Sequence, residues 1–513
     1  MAKRIIKLIL VISIFLLTFT VCSPKEKDKS EPLDEVKNDP KYVAVSKDVN
    51  QYNIDVEFSP DEKNIKGTQQ VIYINNEGVE IDKVYFHLYP NAFRKKETAP
   101  FLFGDFINAY PNGFSAGYID IEEVYVDGDK GKYSIGELDE TIMEVSLPRK
   151  LKTGDQITID MKYNIKLPRA AERFGYGDKT YNLGNWYPSI AVYDESGWNL
   201  DPYYAIGDPF YADVSNYKVN IKAPEDFVIA STGNTLSSSV VEGIRKWELE
   251  ANSVRDFAWV ASSSFEVVEK EVDGTLLKMY YLKDDGDNDQ DIRNKALGFA
   301  EKSIKTFNKV FGEYPYREYS VVQTSFPSGM EYPGIVFIGS QYYDKGSIGF
   351  LEVVIVHETA HQWWYGIVGN DQIDEAWLDE SFASYSEVIY MMENYGENKG
   401  EAYHESQNED GYFRTVDSLK DKTVLKSLNN FKSWNDYGKL VYTKGAIFLD
   451  DIKDRYGKEK FYKILEIYYN RYKFKIATTE DFLAVCEEVT GKELDDYFDK
   501  WLKDKGDEKS TWK

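Results

Sequence analysis

Two of the four histidines in this 513-residue chain stand four positions apart, in His357-Glu358-Thr359-Ala360-His361. On a helix that spacing puts both imidazoles on one face, one turn apart, with a carboxylate beside them. This is the first half of a catalytic zinc site, in which zinc usually takes three protein ligands and leaves a fourth position to water. Bound water has its pKa lowered to about 7. Glu358 does not easily reach the same metal, so it is free to act as general base on that water. The surroundings predict a helix packed inside a domain: Leu351 to Val356 is apolar apart from Glu352, and Trp363 and Trp364 follow the second histidine. Gly366 and Gly369 are expected to mark the helix end.

A third ligand is required, and the downstream candidates are Glu375, Asp379, Glu380 and Glu387. From Trp377 the chain reads Trp-Leu-Asp-Glu-Ser-Phe-Ala-Ser-Tyr. This resembles the W-L-N-E-G-F-A-x-Y segment of the gluzincin metallopeptidases related to aminopeptidase N. In that family the ligand glutamate follows the second histidine after eighteen residues, the position held here by Glu380. The resemblance therefore implies His357, His361 and Glu380 as ligands of one zinc ion. Asp379 and Ser381, standing where Asn and Gly are common, are expected not to touch the metal. Glu375 and Glu387 are read as solvated helix acids.

Upstream, Ser328-Gly329-Met330-Glu331-Tyr332 is similar to the family's G-A-M-E-N signature, with Ser328 and Tyr332 as departures. The resemblance implies an edge strand, Gly329 and Met330 along the peptide backbone, and Glu331 paired with the substrate's free α-amine. A carboxylate fixed near the zinc would favour a protonated N-terminus over an internal peptide bond. Tyr442-Thr443-Lys444-Gly445-Ala446 resembles the family's Y-x-K-G-A, which implies Tyr442 as donor to the oxyanion of the tetrahedral intermediate. His404, in the polar stretch Tyr403-His404-Glu405-Ser406, is read as a surface residue, and His87 as a strand or turn residue.

Two periodicities divide the chain. Residues 51–58, then Ile157, Ile159, Met161, Tyr163 and Ile165, then Tyr217, Val219 and Ile221 alternate with period two. This predicts largely antiparallel sheet with one wet face. From about residue 290 the spacing turns helical, with Ile292, Ala296, Phe299, Ala300, Ile304, Phe307 and Val310 on one stripe. The expected fold is α+β and multidomain, an N-terminal saddle-like β domain over 41–270 followed by a thermolysin-like catalytic domain over 271–513. Asn185 to Tyr203 occupies the place of the family's substrate-cleft segment but reads Asn-Trp-Tyr-Pro, so no second amine-binding acid is assigned. The resemblance covers nearly all of the mature chain and ends near Trp501, without the helical domain that covers the cleft in longer relatives. An open cleft is expected.

Lys3, Arg4 and Lys7 precede an apolar run from Leu8 to Val21, the length of a signal-peptide core, so 1–22 is read as a signal peptide or membrane anchor. Cys22 resembles a bacterial lipoprotein attachment site, and Ser23 to Pro40 is a polar linker. The catalytic part is expected outside the cytoplasmic membrane, secreted or tethered by lipid or anchor. Cys486, in an apolar helix-like stretch, is expected to be buried and inert. Two cysteines make no disulfide framework. The net charge of −25 argues against nucleic acid and agrees mildly with cationic substrates such as peptide amines. Together these features imply a zinc aminopeptidase acting on peptides with a free N-terminus. The alternatives are an open-cleft zinc endopeptidase, an epoxide-hydrolysing relative and a non-catalytic surface binding protein.

Overall fold

In a computed structural model of the protein, residues 37, 39, 41–136, 140–283 and 290–503 are described. The signal or anchor segment, Cys22 and most of the linker lie outside them. Among the described residues no helix is long and apolar enough to cross a membrane.

The strands read from period two form an eight-stranded sheet. In Gln51–Ser59, Tyr52, Ile54, Val56 and Phe58 are buried and the alternate residues face outward. This strand pairs antiparallel with Asn64–Ile74 and parallel with Ser215–Pro224, and the remaining pairs of the sheet are antiparallel. Gly67 stands opposite Tyr163, whose ring occupies the space a Cβ would need. Two four-stranded sheets and a two-stranded one, Tyr193–Asp194 with Gly197–Trp198, complete the N-terminal unit, and His87 ends one of the longer strands, Ile81–His87.

The second unit begins with a five-stranded sheet whose spatial order is Phe265–Val272, Thr275–Leu282, Glu318–Thr324, Ile335–Gly339 and Gly329–Met330. Its first strand runs across residue 270, because a tight turn pairs it in register with the second. The helix Gln290–Val310 buries the predicted stripe from Ile292 to Val310. A mainly helical region follows, and its apolar side chains share one core with this sheet, while the β unit has its own. Architecture and order are those expected, a β-rich unit followed by an α/β and helical one.

Candidate metal centre and catalytic cleft

The motif helix spans Ile348–Ala360 and buries Leu351, Ile355 and Val356. It closes earlier than Gly366 and Gly369 suggested, with His361 as its C-cap. The chain turns back at once: Gly366 N–H donates to the His361 carbonyl at 2.9 Å, and Tyr365 takes a φ of 99°. Trp363 and Trp364 are thereby buried under the site. The next long helix, Trp377–Tyr395, carries Glu380 in its first turn, and the two helices pack together.

The histidine Nε2 atoms lie 3.1 Å apart, and Glu380 Oε2 lies 3.2 Å from each. Ligand atoms about 2.0–2.1 Å from a tetrahedral zinc would stand about 3.3 Å from one another, so the three atoms fit the ion closely. The opposite ring nitrogens are oriented by the protein. His357 Nδ1 is 2.7 Å from Glu387 Oε1, and His361 Nδ1 is 3.2 Å from the Trp364 carbonyl. These contacts hold both Nε2 atoms toward the metal position. Glu387 is thus no solvated acid: it is about one-eighth exposed, held by Tyr403, and fixes the first imidazole. Glu375 is also placed differently from expectation, half-buried and accepting both the Thr479 N–H and hydroxyl at 2.6 Å. Each carboxylate escapes water because a later helix folds over it, which spacing does not reveal.

Asp379 and Ser381 do not join the cluster of His357, His361 and Glu380. Asp379 is buried and accepts the Glu380 N–H at 2.6 Å. Ser381 donates its hydroxyl to the Val441 carbonyl in a π-helical turn, Gly438–Lys444, that carries Tyr442. The Tyr442 ring stacks on His357 with centroids 5.7 Å apart, and its hydroxyl donates to Glu380 Oε1. Burial raises this phenol, and the charge of Glu380 raises it further, so it remains a donor.

The strand Gly329–Met330 is the edge of the five-stranded sheet and lies directly against the motif helix. A Cβ on Gly329 would come within 1.8 Å of Glu358 Oε1. Glu358 Oε2 is buried without a hydrogen-bond partner. Burial pushes this carboxyl up to about 8, Glu380 and Asp208 add to the shift, and His357 opposes it. A dication at the neighbouring ligands would draw it down again. Glu331 is 4% exposed, and burial followed by the charge of Asp208 raises it well above the ordinary carboxylate range. Tyr332, the departure from Asn, donates to Asn185 Oδ1 at 2.6 Å and fills the space beside Gly184. Asn185 thus supports the strand from behind.

Asp208 was not found by sequence reasoning. Its carboxylate oxygen lies within 4.8 Å of oxygens of Glu331 and Glu380, and Arg173 holds it in an ion pair. No motif marks Gly207-Asp208-Pro209; the tertiary fold alone brings it to the cleft. His404 does not lie on the surface as expected but is 5% exposed, against Tyr385 and 3.7 Å from Asp450. Its neighbours Glu405 and Ser406 are exposed, so one imidazole turns inward from a stretch that otherwise reaches the surface. A cavity of about 500 Å³ joins these groups, lined among others by Glu331, His357, Glu358, Glu380 and Tyr442.

Residues 295–501 match the family model described as the peptidase family M1 domain. They form a peptidase family M1 domain. Within and around the M1 domain the chain is 25% identical over 307 residues to aminopeptidase M1-B of Oryza sativa subsp. japonica, covering 57% of this chain and 34% of that protein. It is 23% identical over 452 residues to aminopeptidase N of Lactobacillus helveticus, covering 82% of this chain and 51% of that one. The chain therefore spans between a third and a half of the length of these relatives. The crystal structure of an M1 zinc metallopeptidase from Deinococcus radiodurans superposes with a TM-score of 0.63 at 17% identity, covering 91% of this chain and 97% of that one. The fold is shared over both units.

Proposed function

We propose that the protein is a zinc aminopeptidase that removes the first residue from peptides. The observation that carries this reading is the joining of three ligand atoms about 3 Å apart with a buried acid pair, Glu331 and Asp208, at one end of the same cavity. His357, His361 and Glu380 would hold one zinc ion, which when bound supplies Lewis acidity to the scissile carbonyl and makes a neighbouring water easier to deprotonate. Glu331 and Asp208 bind and orient the α-ammonium; its charge relieves two carboxylates buried side by side. Glu358 takes the proton from the attacking water on its unpartnered Oε2 and delivers it to the leaving amine. Tyr442 turns its hydroxyl from Glu380 to the developing oxyanion. Gly329 and Met330, at the sheet edge, present backbone to the peptide.

One peptide offered with a free and with an N-acetylated terminus tests this reading. Cleavage of the free form, a loss of about 100-fold or more on acetylation, and loss of turnover with zinc retained in Glu358→Gln are expected. Equal cleavage of the two forms would overturn the role of Glu331 and Asp208. Bound zinc without any turnover would leave a binding protein. An extracytoplasmic, tethered setting is part of the proposal and rests on Lys3 to Cys22.

A further inference from the structure

The cleft holds more negative charge than an α-amine and one metal ion use. Beyond Asp208 the wall comes from the N-terminal unit: Pro100 and Phe101, then Asp105 of the helix Phe103–Ala109, then Ala171 and Glu172. Asp105, Glu172, Asp208 and Glu331 thus line one cavity. Among its described lining residues there is no lysine, and Arg173 supplies the one guanidinium.

All three nitrogens of Arg173 are already directed at groups of this wall. It pairs through Nη2 with Asp208, lies with Nη1 3.5 Å from Glu172 Oε1, and directs Nε to Met330 Sδ at 2.9 Å. Its plane is enclosed by the rings of Phe210 and Phe326. One cation is therefore shared by two carboxylates, and two more stand beside them. The Glu172 side chain is 8% exposed and its carboxyl is raised, first by burial, with Arg173 opposing and Asp208 and Asp105 reinforcing. An unpartnered polar group adjoins this wall. The Tyr110 hydroxyl, next to Ala109 of the lining, is buried with no hydrogen-bond partner, and Glu172 is the charge that acts on it most.

With the α-amine between Glu331 and Asp208 and the carbonyl at the metal ligands, the first side chain leaves its Cα toward this wall. Glu172 is one guanidinium beyond Asp208, within reach of the four-carbon stem of a lysine. The stem would run past Phe101, Ala109 and Ala171, which offer apolar surface. We propose that Glu172, with Asp105, forms a subsite for a cationic first side chain, so that the enzyme prefers peptides beginning with Lys or Arg. This rests on the aminopeptidase reading of the site.

The test uses the full chain loaded with zinc and lysyl, arginyl, norleucyl and glutamyl anilides. Norleucine matches lysine in length without its charge. Lysyl and arginyl substrates are expected to exceed norleucyl in kcat/KM by about tenfold or more, the worth of one charge-assisted hydrogen bond, with glutamyl last. In Glu172→Gln the lysyl-to-norleucyl ratio falls toward one. Asp105→Asn, at a half-exposed position, lowers it in the same direction and covers the case that Glu172→Gln does not fold. A parallel measurement binds lysinamide and norleucinamide to Glu358→Gln protein by calorimetry, where no turnover is needed. Tighter lysinamide binding there, lost on adding Glu172→Gln or Asp105→Asn, supports the subsite even if every free-amine substrate goes uncleaved and the aminopeptidase reading falls. A norleucyl substrate processed and bound as well as lysyl, or a ratio unmoved in both variants, overturns the subsite even if the enzyme is an aminopeptidase.

Discussion

At the scale of single residues the site is governed by close approach. Gly329 is needed for contact rather than for an unusual φ, since a methyl there would meet the Glu358 carboxylate at 1.8 Å, within a buried sheet-to-helix contact. Gly329→Ala should therefore displace Glu358 or the edge strand while leaving His357, His361 and Glu380 untouched. Kinetics with metal analysis should show kcat/KM down by about 100-fold with zinc content unchanged. Loss of zinc together with activity would place the damage elsewhere. His357, His361 and Glu358 could be read directly from their spacing. Glu387 could not, because its function depends on where Tyr403 and His357 lie relative to it in space.

At the scale of elements, the decisive contact joins the helix Trp377–Tyr395 to the π-helical turn and the helix Gly445–Tyr456 that follows. A Cβ on Gly445 would fall 1.8 Å from Ser381 Oγ, so the Ser381 side chain packs on the Gly445 backbone, beside Glu380 on one element and close to Tyr442 on the other. The wider π turn directs Tyr442 inward over His357 while its Val441 carbonyl accepts from Ser381. Gly445→Ala should destabilise the fold by about 1–3 kcal/mol through overpacking and reduce kcat. Ser381→Gly removes the opposing Oγ and Cβ, so the double variant should be more stable than the sum of the single losses. A double-mutant cycle by denaturant unfolding measures that coupling, and strict additivity would refute the contact. The motif spacing indicated which residues these elements carry, but their crossing was set by packing.

At the scale of the whole molecule, the cleft exists because two units are locked together, in part by an apolar cluster that joins Tyr89, Phe210, Ala258 and Val260 of the β unit to Tyr280 and Phe337 of the second. Arg255 follows the strand Ile244–Val254 of the β unit and is 3% exposed. Its guanidinium donates to the carbonyls of Ala212, Tyr365 and Lys475 at 3.0, 2.8 and 2.6 Å, and it occupies the space a Cβ on Gly369 would take. The Tyr316 hydroxyl adds a bond to the Ser253 carbonyl at 2.6 Å. Arg255→Met would take this donor from the Ala212 and Tyr365 carbonyls, while the Lys475 carbonyl keeps its bond from the Gly369 N–H, an expected loss of about 2 kcal/mol or more. Thermal unfolding should show it, and because Asp208 and Glu172 belong to the β unit, KM should rise more than kcat falls. An unchanged KM would mean the units hold their relation without this residue.

By itself, the sequence determined the two-unit order, the strand faces, the helical stripe from Ile292 to Val310, and the placing of His357, Glu358 and His361 on one helix and its cap. These are local patterns, set by helix and strand periods and by ligand spacing along one chain. Only the tertiary structure decided that Glu387 orients His357, that His404 is buried, and that Asp208, Arg173 and Glu172 meet Glu331 in one cavity. Asp208, Arg173 and Glu172 stand more than a hundred positions from Glu331 and Glu387 stands 30 from His357, and the chemistry of all of them arises from shared burial. Burial belongs to the packed molecule and has no period along the chain.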